Sequence, residues 1–388
     1  MQRDIGISFC MEQGSLPRIL ILTAGYGDGH NSAARGIEAA LVGRAEVRVV
    51  DLCATAMPRL FRLTRDAYLL MISRMPWLWK LVYSWTDKRN LAEHPLKCLA
   101  PVANSLECLL EEWQPQAVIC TYMLYPYMLD SFMQRTGKLI PYITVVTDSF
   151  VINKTWVCSD SRFWAVTDCW TQKMMEKQGI SQDKLCVTGF PIHPVMKKMA
   201  NHKPPLLSGK GGQPFRVLYF AQRSARLALA ELEGMLENIS FLHVTCILGR
   251  HFRRIYPHIQ HLRAKYGRRL TIRGWSHRIP FYLADVHVVV GKAGGAAVHE
   301  ALGAARPMLV NFFLSGQEEG NVRLLEKLGG GWYVPDVPAL VASLQGMMAD
   351  GGAQWRQMHE NLLNAGMNRG SDQIADLTLK LILERNTN

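Results

Sequence analysis

"ILILTAGYGDGHNSAARGIEAAL", Ile19 to Leu41, decides the fold. Ile19–Leu22 is an unbroken apolar run, as in a strand covered on both faces. Gly25, Gly27 and Gly29 then alternate with Tyr26, Asp28 and His30. Asn31 or Ser32 supplies the cap of a helix that runs through Ala33, Ile37 and Leu41. A strand, a flexible turn and a helix N-terminus make a place where backbone N–H groups meet an anionic ligand. His30 stands at its mouth. The helix dipole favours a neutral imidazole there, which is a ready general base. The plainer reading leaves the glycines as a tight turn and His30 as a cap.

The same unit recurs along the chain. Strand-like segments follow at Glu46–Leu52, Ala117–Tyr122, Pro141–Asp148, Arg162–Asp168 and Lys184–Pro191. A stretch rich in Pro, Gly and Lys, Asn201–Phe215, breaks the pattern and reads as a linker. Alternation restarts with Arg216–Ala221, Leu242–Gly249, Arg269–Trp275, Val286–Gly291 and Arg306–Phe312, with helices such as Leu227–Asn238 between them. Strands separated by helical patterns imply parallel sheets covered on both faces. The reading is α/β: a leader over 1–17, a Rossmann-like domain over 18–200, a linker over 201–215 and a second Rossmann-like domain over 216–370. A helix over 371–388, capped by Ser371, is placed to cross back to the first domain. Ligands bind beyond the carboxyl ends of such strands, so two facing sheets enclose a cleft.

Composition narrows the chemistry. The chain has 388 residues and nine scattered cysteines with no C-x-x-C. That argues against structural zinc and a disulfide framework, and most of the cysteines are expected to be small buried side chains. No apolar run reaches the ~18 residues of a membrane span. Asp4 and Glu12 interrupt any signal-peptide core in the leader. A net charge of +12 favours anionic partners: nucleic acid, anionic lipid or phosphorylated substrates.

The first glycine loop is neither a Walker A motif nor G-x-G-x-x-G. Asp51, at the end of the second strand, keeps a dinucleotide reading open. The second half is more specific. A strand ends at Gly291, and Gly294 and Gly295 open a helix whose bare backbone can approach a pyrophosphate. Glu300 lies about one and a half turns further on, where a carboxylate can accept from the two hydroxyls of a ribose. After the next strand, "SGQEEGN" offers Gln317, Glu318, Glu319 and Asn321, a set suited to sugar hydroxyls or, more plainly, to a solvated turn. In "AQRSAR", Ala221 to Arg226, Arg223 and Ser224 can meet a phosphate.

"GYGDGH" (Gly25–His30), "VVTDSFVINKTW" (Val145–Trp156), "VTGFPIHP" (Val187–Pro194), "KAGGAAVHEAL" (Lys292–Leu302) and "GQEEGN" (Gly316–Asn321) occur in one order over nearly the whole chain. In this the protein resembles the monogalactosyldiacylglycerol synthases and bacterial processive diacylglycerol glucosyltransferases, relatives of the peptidoglycan N-acetylglucosaminyltransferase. The resemblance implies the GT-B fold, with two Rossmann-like domains across a cleft. It implies an inverting transferase that takes a hexose from a UDP-sugar, with no tightly bound cofactor or metal, to a diacylglycerol-like lipid. It implies catalytic roles for His30 and Asp148, and acceptor contacts at Gly27, Gly29 and Trp156. On the donor side it implies a diphosphate loop at Gly294, Gly295 and Ala296, ribose recognition by Glu300, hexose contacts at Gln317 and Glu318, and a uracil pocket at Trp275 and Ser276. Two departures stand out: Asn153 and Cys158 where the family carries histidines, and no glycine in "AQRSAR".

Met57 to Asn90 interleaves basic residues with aromatics. Arg62, Arg65, Trp77, Trp79, Lys80 and Trp85 suit a segment lying on an anionic membrane, which implies a peripheral protein at the cytoplasmic face. Domain-packing helices are the plainer account. The chain carries no recognised nucleic-acid motif, so no nucleic-acid partner is expected. Two rival readings share the residues. One is a soluble UDP-sugar transferase or epimerase with a non-lipid substrate. The other is a UDP-sugar- or lipid-binding protein without catalysis.

Overall fold

The apolar run becomes strand β1 (Arg18–Thr23), buried from Ile19 onward. The computed structural model describes residues 15–75, 77–78, 81–82, 84, 99–200, 214–222, 224–276, 278–316 and 318–386. The assigned leader lies outside these up to residue 14, and the assigned linker up to residue 213. After β1 come α1 (Asp28–Leu41), β2 (Glu46–Asp51), α2 (Leu52–Ala56), α3 (Pro58–Arg74), α4 (Ala100–Trp113), β3 (Ala117–Cys120), α5 (Tyr125–Thr136), β4 (Tyr142–Val145), β5 (Phe163–Val166), α6 (Cys169–Lys177), β6 (Leu185–Val187) and α7 (Val195–Ala200). The second half holds β7 (Phe215–Phe220), α8 (Ala225–Asn238), β8 (Leu242–Ile247), α9 (Phe252–Ile259), α10 (Leu262–Tyr266), β9 (Leu270–Arg273), α11 (Ile279–Ala284), β10 (Val288–Lys292), α12 (Gly295–Gly303), β11 (Met308–Phe312), α13 (Glu319–Lys327), β12 (Gly331–Tyr333), α14 (Val337–Met348), α15 (Ala353–Ala365) and α16 (Gly370–Asn386).

The strands form two six-stranded sheets, ordered β2-β1-β3-β4-β5-β6 and β12-β11-β10-β7-β8-β9, with every pairing parallel. This is the doubly wound α/β arrangement of the GT-B fold. Central strands such as β1 and β3 are buried along their length, whereas β2, at an edge, is only half covered. Helices on both faces account for that difference. α1 presents Ala33, Ala34, Ile37 and Leu41 inward, the spacing of an amphipathic helix. In one core cluster Ala34, Ile37 and Leu41 join Ile19 and Ile21 of β1 with Ile374, Ala375, Leu381 and Ile382 of α16. The last helix therefore packs on the first sheet.

Several local expectations need correction. α1 begins at Asp28 with Gly27 as its cap, and no side chain caps it. Asn31 instead accepts from Thr23 Oγ1 at 2.9 Å. Ser371 lies within α16 and donates from Oγ to the carbonyl of Ile192 at 2.5 Å. β12 is a strand the sequence reading did not assign. Of the seven described cysteines only Cys53, Cys120 and Cys246 are buried, so cysteine burial is not general.

Candidate active site

The register of β1 against β3, Leu22 beside Cys120, brings the end of β3 next to the glycine loop. His30 is the third residue of α1, and its Nδ1 lies 2.7 Å from the carbonyl oxygen of Thr121. A carbonyl can only accept, so Nδ1 carries the proton and Nε2 keeps its lone pair. Thr147 Oγ1 stands 3.1 Å from the same Nδ1, and Tyr122 packs edge-on against the ring with centroids 5.1 Å apart. Burial lowers the imidazole pKa to about 4, partly opposed by the Thr121 hydrogen bond. The half-buried ring is thus a neutral base at pH 7.

Trp156 bridges His30 to a carboxylate. Its ring centre is 6.2 Å from that of His30, and its Nε1 donates to Asp148 Oδ2 at 2.8 Å. Trp156 is only 1% exposed, so it presents no open face to an acceptor, and its indole N–H is spent on Asp148. Burial raises the Asp148 carboxyl to about 6, against the Trp156 hydrogen bond and with a further push from Glu318. The backbone next to it is unusual: Phe150 has φ +57°, a left-handed conformation that costs a bulky residue free energy. Its N–H donates to Thr171 Oγ1 at 3.0 Å and its ring stacks on Trp170, which holds the turn.

Across the cleft, α12 opens at Gly294 with no side-chain cap. The first N–H groups of Gly295 and Ala296 are therefore available to an anion. Lys292 Nζ lies 2.8 Å from Glu318 Oε1, and Glu318 Oε2 accepts from the N–H of Leu314 at 2.9 Å. Asn321 Nδ2 donates to the carbonyl of Ala293 at 2.9 Å. Its buried Oδ1 has no partner among the described residues. Trp275 is 53% exposed, with the Arg250 guanidinium 5.2 Å above its ring. Ser276 Oγ accepts from the N–H of Arg278. Ser224 caps α8 by accepting from the N–H of Leu227, and its O–H can still donate.

The two walls meet. Ser32 Oγ, two residues past His30, donates to Glu300 Oε1 at 3.3 Å. Ser149 Oγ lies 3.3 Å from Nε2 of the buried His299, whose ring stacks on Phe190. Arg250 Nη2 donates to Asp28 Oδ1 at 3.0 Å. Gly27 and Gly29 line the start of α1 at the same gap. Arg223, Gln317, Trp79, Lys80 and Trp85 lie outside the described residues. Arg62, Arg65 and Trp77 lie in the segment beside the glycine loop, where α3 exposes Leu60, Leu63, Leu69 and Leu70. Asp51 is not available to a nucleotide: Oδ2 accepts from the N–H of Gly25 at 2.8 Å and Oδ1 from that of Ala54 at 2.9 Å. Sequence reasoning did not single out Thr121, Thr147, Lys292 or His299, and it marked Ser32 only as a helix cap. Only Lys292 carried a local signal, as the cation one residue before the Ala293–Gly294 turn. Among the described residues no group of three or more His, Cys, Asp or Glu could hold a metal ion, and no helix is long and apolar enough to cross a membrane.

Glu300 titrates in the working range. Burial raises it from 4.5 to about 7, opposed by Ser32 and Arg35 and reinforced by Asp28. A carboxyl raised on folding binds its proton more tightly in the folded state, so its contribution to stability declines as pH climbs from about 4.5 to about 7 and is constant above. Glu300→Gln is expected to flatten the fall in stability over that window, read by denaturant titration at a series of pH values.

Comparison with known proteins bears on the fold and on which proteins the chain is similar to. The sequence profile described as monogalactosyldiacylglycerol (MGDG) synthase matches residues 30–192. The processive diacylglycerol beta-glucosyltransferase of Bacillus subtilis is 25% identical over 94% of this chain and 95% of its own. The chloroplastic monogalactosyldiacylglycerol synthase of Spinacia oleracea is 25% identical over 84% of this chain and 65% of its own. Among solved structures, MurG of Acinetobacter baumannii superposes with a TM-score of 0.59 at 12% identity, over 94% of this chain and 99% of that one. The UDP-GlcNAc 2-epimerase of Neisseria meningitidis superposes with 0.60 at 14% identity, over 94% and 100%. These two likenesses establish the fold. The sequence matches point one way: the chain is similar to processive diacylglycerol beta-glucosyltransferase over 94% of its length and to monogalactosyldiacylglycerol synthase over 84%.

Proposed function

We propose that the protein is an inverting glycosyltransferase that moves a hexose from a UDP-sugar to a diacylglycerol-like lipid. The observation that carries the reading is the pairing of His30, its Nε2 unprotonated, with Glu300 on the facing wall, joined through Ser32 at 3.3 Å. The Ser32 hydroxyl occupies a hydrogen bond that a ribose hydroxyl would make. The first unit takes the acceptor and the second the donor.

In the reaction His30 Nε2 takes the proton of the acceptor hydroxyl as its oxygen bonds to the anomeric carbon. The bond from that carbon to the diphosphate oxygen breaks on the opposite face, and UDP leaves with the electron pair. The N–H groups of Gly295 and Ala296 and the ammonium of Lys292 stabilise the departing diphosphate. Glu318 orients Lys292. It stands where the hexose hydroxyls would lie. Trp275 and Ser276 take the uracil. Asp148, held by Trp156, sits on the acceptor side. Closure of the walls excludes water and limits hydrolysis of the donor. The leucine-rich, arginine-bearing face of α3, with Trp77, suits the protein to a peripheral seat at the membrane's cytoplasmic face, where lipid can reach His30.

The test incubates the protein with labelled UDP-glucose or UDP-galactose and detergent-dispersed diacylglycerol. Labelled glycolipid is expected. A rearranged UDP-sugar with no labelled lipid would point to an epimerase and overturn the reading. In the same preparation Glu300→Gln is expected to weaken UDP binding about ten- to a hundredfold, the worth of a charge-assisted hydrogen bond. The native protein is expected to gain UDP affinity as pH passes about 7 and Glu300 ionises, and the variant should lose that rise. Calorimetric titration across that range checks both.

A further inference from the structure

We propose that the second unit carries its own seat for an anionic bilayer, on the flank formed by α9, α10 and β9. This rests on the lipid-acceptor reading, and its test reads the seat directly. Between Glu237 and Asp285 the chain has no acidic residue, yet it holds nine lysines and arginines. The whole protein has a net charge of only +12. A surface charged for solubility alone interleaves both signs; this one does not. Arg253, Arg254, Arg263, Arg268, Arg273 and Arg278 are exposed. Acids from elsewhere that reach the segment include Glu233 and Glu237 of α8, which engage Lys265, and Asp28, which engages Arg250. His261, Arg263 and Arg268 line a depression of about 900 Å³ with Tyr256. Phe252 and Phe281 stand exposed beside the cations, as interfacial aromatics do.

The direction of the two sheets fixes where this flank faces. Beyond β4, Ser149 meets His299 of α12, the helix after β10. Beyond β1, Asp28 meets Arg250, which follows β8. The sheets therefore run in the same sense across the cleft. One strand further on are β2 in the first unit and β9 in the second, each an edge strand. α3, which follows β2 after α2, packs on the glycine loop through Tyr26, whose ring lies 5.0 Å from Phe61 and 6.4 Å from Tyr68. The exposed leucines of α3 and the basic flank of α9–β9 thus end on one side of the molecule, astride the cleft mouth. Nucleic acid would satisfy the cations but leaves the leucines without a partner. A bilayer takes both, and a basic side chain near an anionic surface contributes ~1 kcal/mol.

The test uses the full chain and phosphatidylcholine vesicles with or without phosphatidylserine. Replacing Arg253→Gln, Arg263→Gln and Arg268→Gln together is expected to weaken binding to the anionic vesicles on the order of a hundredfold and to flatten its salt dependence. Sugar transfer to detergent-dispersed diacylglycerol should not change. The matching triple Arg→Lys variant keeps the charge and should bind as the native protein does, which guards against a folding defect. Native-like vesicle binding by the Gln variant overturns the proposal. So does a native protein that prefers duplex oligonucleotide to anionic vesicles and loses that preference in the Gln variant. A failure of sugar transfer would strike the proposed reaction and leave the vesicle measurement standing.

Discussion

His30→Ala is expected to lower glycosyl transfer by about a hundred- to ten-thousandfold, the range supplied by a positioned general base, while UDP binding stays within a few-fold of native. The separation follows from position. His30 belongs to α1 in the first unit, and Thr121 and Thr147 hold its Nδ1 side. The groups assigned to UDP sit on α12, on β10 and after β9. Because burial holds the imidazole pKa at about 4, its basic form is fully present at neutral pH. Activity should fall with acid only as pH approaches that value, or earlier where Asp148 or Glu300 becomes protonated. Turnover and calorimetric UDP titration, run side by side, check the split. Native-like turnover in the alanine variant would remove the base assignment.

Gly320→Ala should produce the second large effect, at a residue that touches neither base nor carboxylate. Gly320 lies in the first turn of α13, and a methyl group there would run into the backbone carbonyl of Ser149 on the opposite wall. Neither side can yield cheaply. Ser149 follows Asp148 and precedes the left-handed Phe150, and α13 carries Asn321 into the hexose region. Relief requires the walls to part. Overpacking of this kind costs about 1–3 kcal/mol, and melting falls by about 2–4 °C for each kcal/mol in units of 150–250 residues. Transfer should drop more sharply than stability, because a parted cleft admits water and misplaces donor and acceptor together. Scanning calorimetry with the lipid assay tests this. A variant with native activity would mean that the Ser149–Gly320 approach does not set the reacting geometry.

What the sequence disclosed follows from how locally each feature is written. β1 and the other central strands are continuous apolar runs, and the glycine turns that end β1 and β10 are visible one residue at a time. The start of α1 was not visible. Asn31 and Ser32 have capping chemistry, but Gly27 takes the cap, Asn31 turns to Thr23 and Ser32 turns to Glu300. β12 is three residues long and follows two glycines, too short for any alternation to appear. Thr121 and Thr147 reach His30 through strand register, and His299 reaches Ser149 only because two sheets approach. Contacts of that kind leave no trace in spacing. Trp156 shows the reverse: the motif marks it, but only the structure shows that it is buried and bonded to Asp148.

The lodging of α16 against β1 and α1 has a consequence for biosynthesis. Ile374, Ala375, Leu381 and Ile382 fill the same core as Ile19 and Ile21, so a strand made early waits for a helix made about 350 residues later. While the ribosome is still adding the second unit, one side of the nascent first unit stays greasy and uncovered, the condition under which chaperones bind and chains stick to one another. A chain released before Gly370 would keep that wound open permanently.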